Sequence, residues 1–263
     1  MPIVILGRPN VGKSSLFNRI VRKERALVSA APGTTRDPVE DTFAYGGVSY
    51  RIVDTAGIRR RAGRGEEVER ISVMKAREAI RQAEITIALI DAADGIGHQD
   101  LALLGLLGEG RSPALLAVNK VDLLPERGEA LKRKLEEIRA AVRFSPYVPL
   151  VGISALTGAG LDELMVALDT LRQEIHRRFS TADLNRALAA VVEEKQPPAD
   201  RGRAVRFYYL TQVGEAPPRL LVFSNGRKVD AAYRRFMEGR LRARLGLIGA
   251  PLALSFRRSR TAR

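Results

Sequence analysis

Gly7-Arg-Pro-Asn-Val-Gly-Lys-Ser-Ser15 follows a short apolar run, Ile3 to Leu6, and its reading decides the fold. The spacing G-x-x-x-x-G-K-[ST] after a strand makes a loop whose backbone N–H groups wrap a triphosphate. Gly7, Arg8, Pro9, Asn10, Val11, Gly12, Lys13, Ser14 and Ser15 are therefore candidate nucleotide contacts. Lys13 has the reach and charge for the β- and γ-phosphates, and the Ser14 hydroxyl suits Mg²⁺. Asn10 adds a polar amide inside the loop. The pattern arises by chance at roughly one start in 80,000. Alone, it leaves the base and the chemistry open.

Working outward, apolar runs alternate with helical periodicity through the first two-thirds of the chain. Strands are expected over 2–6, 41–45, 49–54, 85–91, 114–119 and 149–153, and helices over 13–21, 67–81, 99–107, 126–142 and 160–178. Gly46-Gly47 supplies the positive φ of a tight hairpin. The alternation predicts an α/β fold, a mostly parallel sheet with helices on both faces. Its ligand site is then expected at the carboxyl ends of the strands.

Three further motifs fall at such ends. Asp54-Thr55-Ala56-Gly57 has the form of a nucleotide switch, with Asp54 holding Mg²⁺ directly or through water and the Gly57 N–H sensing the γ-phosphate. In Asn119-Lys120-Val-Asp122 the carboxylate can accept two N–H bonds from guanine, while Asn119 fixes the loop and the purine edge. Adenine presents the opposite donor pattern and would leave Asp122 unpaired. In Ser154-Ala155-Leu156 a backbone N–H can meet the guanine carbonyl. Four ordered motifs select GTP and GDP as ligands. Pro32-Gly-Thr-Thr-Arg-Asp37 lies where a switch loop belongs, and either threonine can complete the Mg²⁺ shell.

The formal charge of the 263 residues is +14, of which the segment from Glu174 to Arg263 carries +11. Such asymmetry suits a polyanionic partner, nucleic acid first, with a solvated basic face as the alternative. There is no cysteine and no apolar run approaching ~18 residues. A cytoplasmic location away from membranes is therefore expected. A second region begins near Ser180, with Thr181 as N-cap of a helix to Glu194, strands over 203–213 and 219–225, a helix over 231–245 and a strand over 252–256. That order predicts a small α+β sandwich.

The loop Gly7–Ser15, the Gly33-Thr-Thr-Arg-Asp37 switch and Asp54-Thr-Ala-Gly-Ile-Arg-Arg-Arg61 resemble the second GTPase domain of the Der (EngA) family of bacterial ribosome-biogenesis GTPases. The family lies in the TrmE-Era-EngA-like superfamily. The likeness continues through Ser180-Thr-Ala-Asp-Leu-Asn185 and Phe207-Tyr-Tyr-Leu-Thr-Gln-Val-Gly214 into its C-terminal KH-like domain. It implies a GTPase domain over 1–175, a KH-like domain over 180–258 and a basic tail over 259–263. Family members carry two GTPase domains in tandem, so the first is expected to be absent here.

The resemblance also implies a GTP-hydrolysing switch in ribosome biogenesis, with ribosomal RNA and the 50S subunit or its precursors as partners and a monomeric chain. It favours Thr35 as the Mg²⁺ ligand. Ile58 stands where Ras-like enzymes place a water-orienting glutamine, and isoleucine cannot polarise water. The family's solution is a K⁺ ion beside the phosphates, at a position matching Asn10; the alternative is an amide that stabilises the loop. Lys13, Thr35, Gly57 and Asn10 are thus the catalytic candidates, with turnover on the order of 10⁻⁴ to 10⁻² s⁻¹ before activation.

Arg59, Arg60 and Arg61 are either an RNA contact or a solvated switch loop. KH-type RNA binding uses a G-x-x-G clamp between helices, but Gly246-Leu-Ile-Gly249 precedes the last strand and reads as a helix C-cap and turn. RNA contact is expected instead from Arg234, Arg235, Arg240, Arg242 and Arg244, with Arg257, Arg258 and Arg260. Two rival readings are an Era-like GTPase of the small subunit and an RNA-binding scaffold that nucleotide merely stabilises.

Overall fold

Strands without polar alternation need cover on both faces. In the computed structural model β4 (Ile85–Asp91) and β5 (Ala114–Asn119) are buried at every residue, and β1 (Pro2–Gly7) at all but its first. The structure describes residues 1–29, 42–53, 73–110, 112–125, 128–142, 147–199, 202–226 and 229–259. β2 (Thr42–Tyr45) and β3 (Val48–Ile52) form the expected antiparallel hairpin, with φ of 58° and 76° at Gly46 and Gly47. With β6 (Leu150–Gly152) the sheet runs β2-β3-β1-β4-β5-β6, parallel except at β2.

Helices α1 (Lys13–Ser29), α2 (Val73–Gln82), α3 (His98–Gly110), α4 (Glu129–Ala141) and α5 (Leu161–Ile175) alternate with these strands. α1 runs eight residues past its expected end at Val21, because the stretch to Ser29 contains neither glycine nor proline. One sheet face, through Val4, Leu6, Ala88, Ile90, Leu116 and Val118, shares a core with Ala76, Leu104 and Ile138 of α2, α3 and α4. The register sets Gly7 beside Leu89 and Asp91 beside Asn119, so the motif-bearing strand ends stand together.

By its contacts the chain divides into two units, Met1–Thr170 and Leu171–Arg263, with the boundary inside α5. The second unit holds α6 (Thr181–Glu194), β7 (Phe207–Gly214), β8 (Arg219–Ser224), α7 (Ala231–Arg244) and β9 (Ala253–Arg258). Its three strands lie in the order β7-β8-β9, antiparallel then parallel, with α6 and α7 over the face that carries Leu210, Leu220, Val222 and Leu254. The N-cap of α6 is Ser180, not Thr181: Ser180 is extended and its Oγ accepts the Asp183 N–H at 3.1 Å. β7 starts four residues later than expected. Asn225 explains this, since its side chain binds the Arg206 N–H and the Ala204 carbonyl in place of a strand ladder. Among the described residues no helix is long and apolar enough to cross a membrane.

Candidate functional site

The loop between β1 and α1 leaves the sheet at Gly7 and closes on Lys13, whose Nζ donates to the carbonyls of Gly7 at 2.8 Å and Arg8 at 2.6 Å. These bonds anchor the ammonium to the loop. Gly12 is required twice over: its φ is 101°, and a Cβ there would collide with the Asn119 amide nitrogen. Asn10 is exposed with φ 60°. Arg8 turns toward the start of α3, paired with Asp100 at 2.8 Å and donating to the Gly95 carbonyl at 3.0 Å. Burial pushes the Asp100 carboxyl above its ordinary pKa, against the pull of the Gly97 N–H and Arg8.

Asn119 joins three loops. Its Nδ2 donates to the Val11 carbonyl at 2.7 Å, and its Oδ1 accepts the Ala155 N–H at 2.9 Å. Asn119 thus fixes the loops as expected, and because an amide carries two N–H donors and two acceptor lone pairs, these bonds are compatible with a purine contact as well. Lys120, held at φ 67°, forms an ion pair with Asp91 at 2.6 Å. Burial works against ionised Asp91, but the Lys120 bond and the N–H groups of Ala93 and Asp94 outweigh it and lower its pKa. Ser154 Oγ accepts the Thr157 N–H at 3.0 Å, and the Ser154 N–H donates to Ala159. Of the three N–H groups from Ser154 to Leu156, only that of Leu156 finds no acceptor among the described residues. Arg19 of α1 binds the carbonyls of Ala155 and Leu156 and so ties this loop to the phosphate-loop helix.

A guanine nucleotide can be tested against this set. Asp122 Oδ1 is buried without a hydrogen-bond partner, an expensive state that a purine N–H would relieve. The Leu156 N–H is a donor for a carbonyl. The residues fit a guanine edge. Thr35, Asp54, Thr55, Ala56 and Gly57, with Ile58 and Arg59 to Arg61, lie outside the described residues. Of the expected Mg²⁺ set, Ser14 alone is described, in the first turn of α1. Sequence reasoning missed Arg19, Asp91 and Asp100. Asp91 had a signal, since it ends a parallel strand beside Asn119. Arg19 had none.

In the second unit the turn 246–250 is held from two sides. Glu174, 7% exposed, accepts N–H bonds from Ile248, Gly249 and Ala250 at 2.7–2.9 Å. Arg242 donates to the carbonyls of Leu247 and Ile248 at 3.3 and 3.2 Å. Gly246, at φ 64°, ends α7 as the C-cap reading expects. The backbone donors from Ile248 to Ala250 are thus occupied by a carboxylate, and buried Arg242 is corrected from an RNA contact to a clamp on this turn. Arg240 and Arg244 pair with Glu194 at 2.6 and 3.5 Å, and Arg234 stacks on Phe256 near Glu238. Arg235 of that helix stays exposed, as do Arg257 and Arg258 on β9, while Arg260 lies outside the described residues.

Comparisons with known proteins agree with this architecture. Residues 2–120 match the family described as 50S ribosome-binding GTPase, and residues 178–257 the KH-domain-like family of EngA bacterial GTPase enzymes, C-terminal. GTPase Der of Geotalea uraniireducens is 37% identical over 256 residues, covering 97% of this chain and 58% of that protein. GTPase Der of Acidithiobacillus ferrooxidans is 42% identical over 257 residues, 97% of this chain and 57% of its own length. The chain thus spans somewhat more than half the length of these relatives. Translation elongation factor SelB of Methanococcus maripaludis, in complex with the GTP analogue GppNHp, shares the fold with a TM-score of 0.50 at 19% identity, over 69% of this chain and 35% of its own.

Proposed function

We propose that this chain, which belongs to the Der (EngA) GTPases and joins one GTPase domain to their KH-like domain, is a GTP-hydrolysing switch in assembly of the large ribosomal subunit. The observation that carries the ligand is the buried, unpartnered Asp122 Oδ1 beside loops that Asn119 fastens together. An acceptor in that position selects guanine, because adenine would leave it unpaired.

Lys13 would pair with the β- and γ-phosphates, and the Gly57 N–H with the γ-phosphate. Asp122 and the Leu156 N–H would hold the base. Ser14, Thr35 and Asp54 would hold Mg²⁺, which spreads the charge of the transferring phosphoryl group. Asn10, exposed in the loop, would ligate K⁺, which supplies an arginine finger's positive charge. With Ile58 after Gly57, no side chain of that loop position orients water, and slow turnover before partner activation follows.

Three measurements test this reading. Fluorescent GDP should be displaced by GTP and not by ATP, and phosphate release should fall to background in Lys13→Ala. Turnover should be faster in K⁺ than in Na⁺; equal rates remove the potassium role. The GTP-locked chain should co-sediment with 50S particles or their precursors in a salt-sensitive manner. Co-sedimentation with 30S particles instead would favour the Era-like assignment.

A further inference from the structure

The sheet of the second unit is built from 20 residues that hold five of the chain's 14 Phe and Tyr residues, three arginines and no Asp or Glu. Side chains alternate across a strand, and burial sorts them. Leu210, Leu220, Val222 and Leu254 point under α6 and α7 and are at most 2% exposed. A register shift between Phe207 and Tyr209 resets the alternation, so Phe207 also turns inward, against Tyr233 of α7.

The opposite face carries Tyr209, Phe223 and Arg257 in one cross-strand row. The two rings lie 6.0 Å apart, and Tyr209 keeps 40% of its surface exposed. Arg219 lies further along β8 on the same face. Its guanidinium rests on Gly214, in the space that a Cβ there would occupy. No hydrogen bond or ion pair links Arg219 or Arg257 to the side chain of a described residue, whereas Arg234, Arg240 and Arg244 of α7 each have a glutamate.

We propose that this face binds single-stranded RNA, with unpaired bases stacked on Tyr209 and Phe223 and phosphates neutralised by Arg219 and Arg257. The inference rests on the proposed ribosomal role and on RNA being the partner of this basic domain, as its charge leads one to expect, and assigns the surface and the strandedness. A flat ring accepts any base, but only a base whose face is free; a duplex hides its faces in the stack. Guanidinium groups that bind no described side chain, Arg257 beside the rings and Arg219 further along β8, on strands without a carboxylate, match a polyanion better than an apolar protein surface. The basic helix is a poorer candidate, because its charges are largely answered from within the unit.

The test titrates the full chain against a labelled polyuridine of about 12 nucleotides and an RNA duplex of equal length. The single strand should bind about tenfold tighter than the duplex, and Tyr209→Leu and Phe223→Leu should each weaken it about tenfold with duplex and GDP binding unchanged. Arg257→Gln should weaken both RNAs and reduce the salt slope by about one. Should a leucine variant misfold, Tyr209→Trp replaces it, with quenching of its fluorescence by polyuridine expected. RNA binding without strand preference, leucine variants that bind as the parent does, or an unquenched tryptophan would overturn this surface while leaving the RNA partnership standing. No binding to either RNA would remove both. Variants that lose a ribosomal protein or self-association, but keep RNA, would mark a protein interface and overturn the inference.

Discussion

Asn119 donates its side-chain amide to the Val11 carbonyl at 2.7 Å, across 108 residues of sequence. The other end of the same amide takes the Ala155 N–H. A buried residue at the end of β5 therefore fastens the phosphate loop to the loop expected at the base. This is a structural bond before any ligand arrives, made with one of the two N–H groups of the amide.

Replacing Asn119 by alanine leaves the Val11 carbonyl and the Ala155 N–H unpaired in the interior. About 2–4 kcal/mol of stability should be lost, and GDP affinity should fall with it. Denaturant melts and a GDP titration measure both. A variant as stable as the parent would show that the link does not stabilise the fold.

Asp122→Asn turns an unpartnered acceptor into a donor. GDP should bind roughly a hundredfold more weakly, and xanthosine diphosphate, which offers a carbonyl there, should bind better than GDP. Competition between the two nucleotides decides it; unchanged preference for GDP would move the base away from Asp122.

The Asp91 pKa is depressed below its ordinary 3.8 in the fold, with Lys120 as the leading favourable cause against burial. The sign follows from linkage: its contribution is present above 3.8 and is lost as pH falls through the lower folded value. The difference in thermal midpoint between the parent and Asp91→Asn should therefore be largest near neutrality and close below pH 3.8. A constant difference down to strong acid would exclude the ion pair as its source.

Glu174→Ala would strand three backbone N–H groups in a turn that is otherwise closed. A loss of about 3–5 kcal/mol is expected, read by denaturation of the second unit, while GDP affinity of the first stays as it was. Glu174→Gln, which keeps one acceptor oxygen, should lose less.

Much of this was legible beforehand. The strand ends at Asp91 and Asn119 stand as the apolar runs placed them, because a strand buried on both faces announces itself by composition alone. The helix ends were less legible: α1 overran Val21 since nothing local stops it, and the cap of α6 shifted by one residue between two adjacent hydroxyls that are equally good candidates. Arg242 could not be separated from its neighbours on α7, because an arginine that binds carbonyls across a turn looks, in sequence, like one that faces water.

By itself the sequence determined where the expected phosphate loop and the motif proposed to select guanine fall and the order of elements, since each depends on spacing along one short segment. Tertiary structure alone decided which polar groups were already spoken for. It showed that Asn119 bridges two loops while Asp122 Oδ1 has no hydrogen-bond partner, and that Glu194 answers Arg240 and Arg244 while Arg219 and Arg257 bind no side chain among the described residues. The reason is physical. A charge or an amide acquires its role from the partner that reaches it, and those partners come from distant parts of the chain.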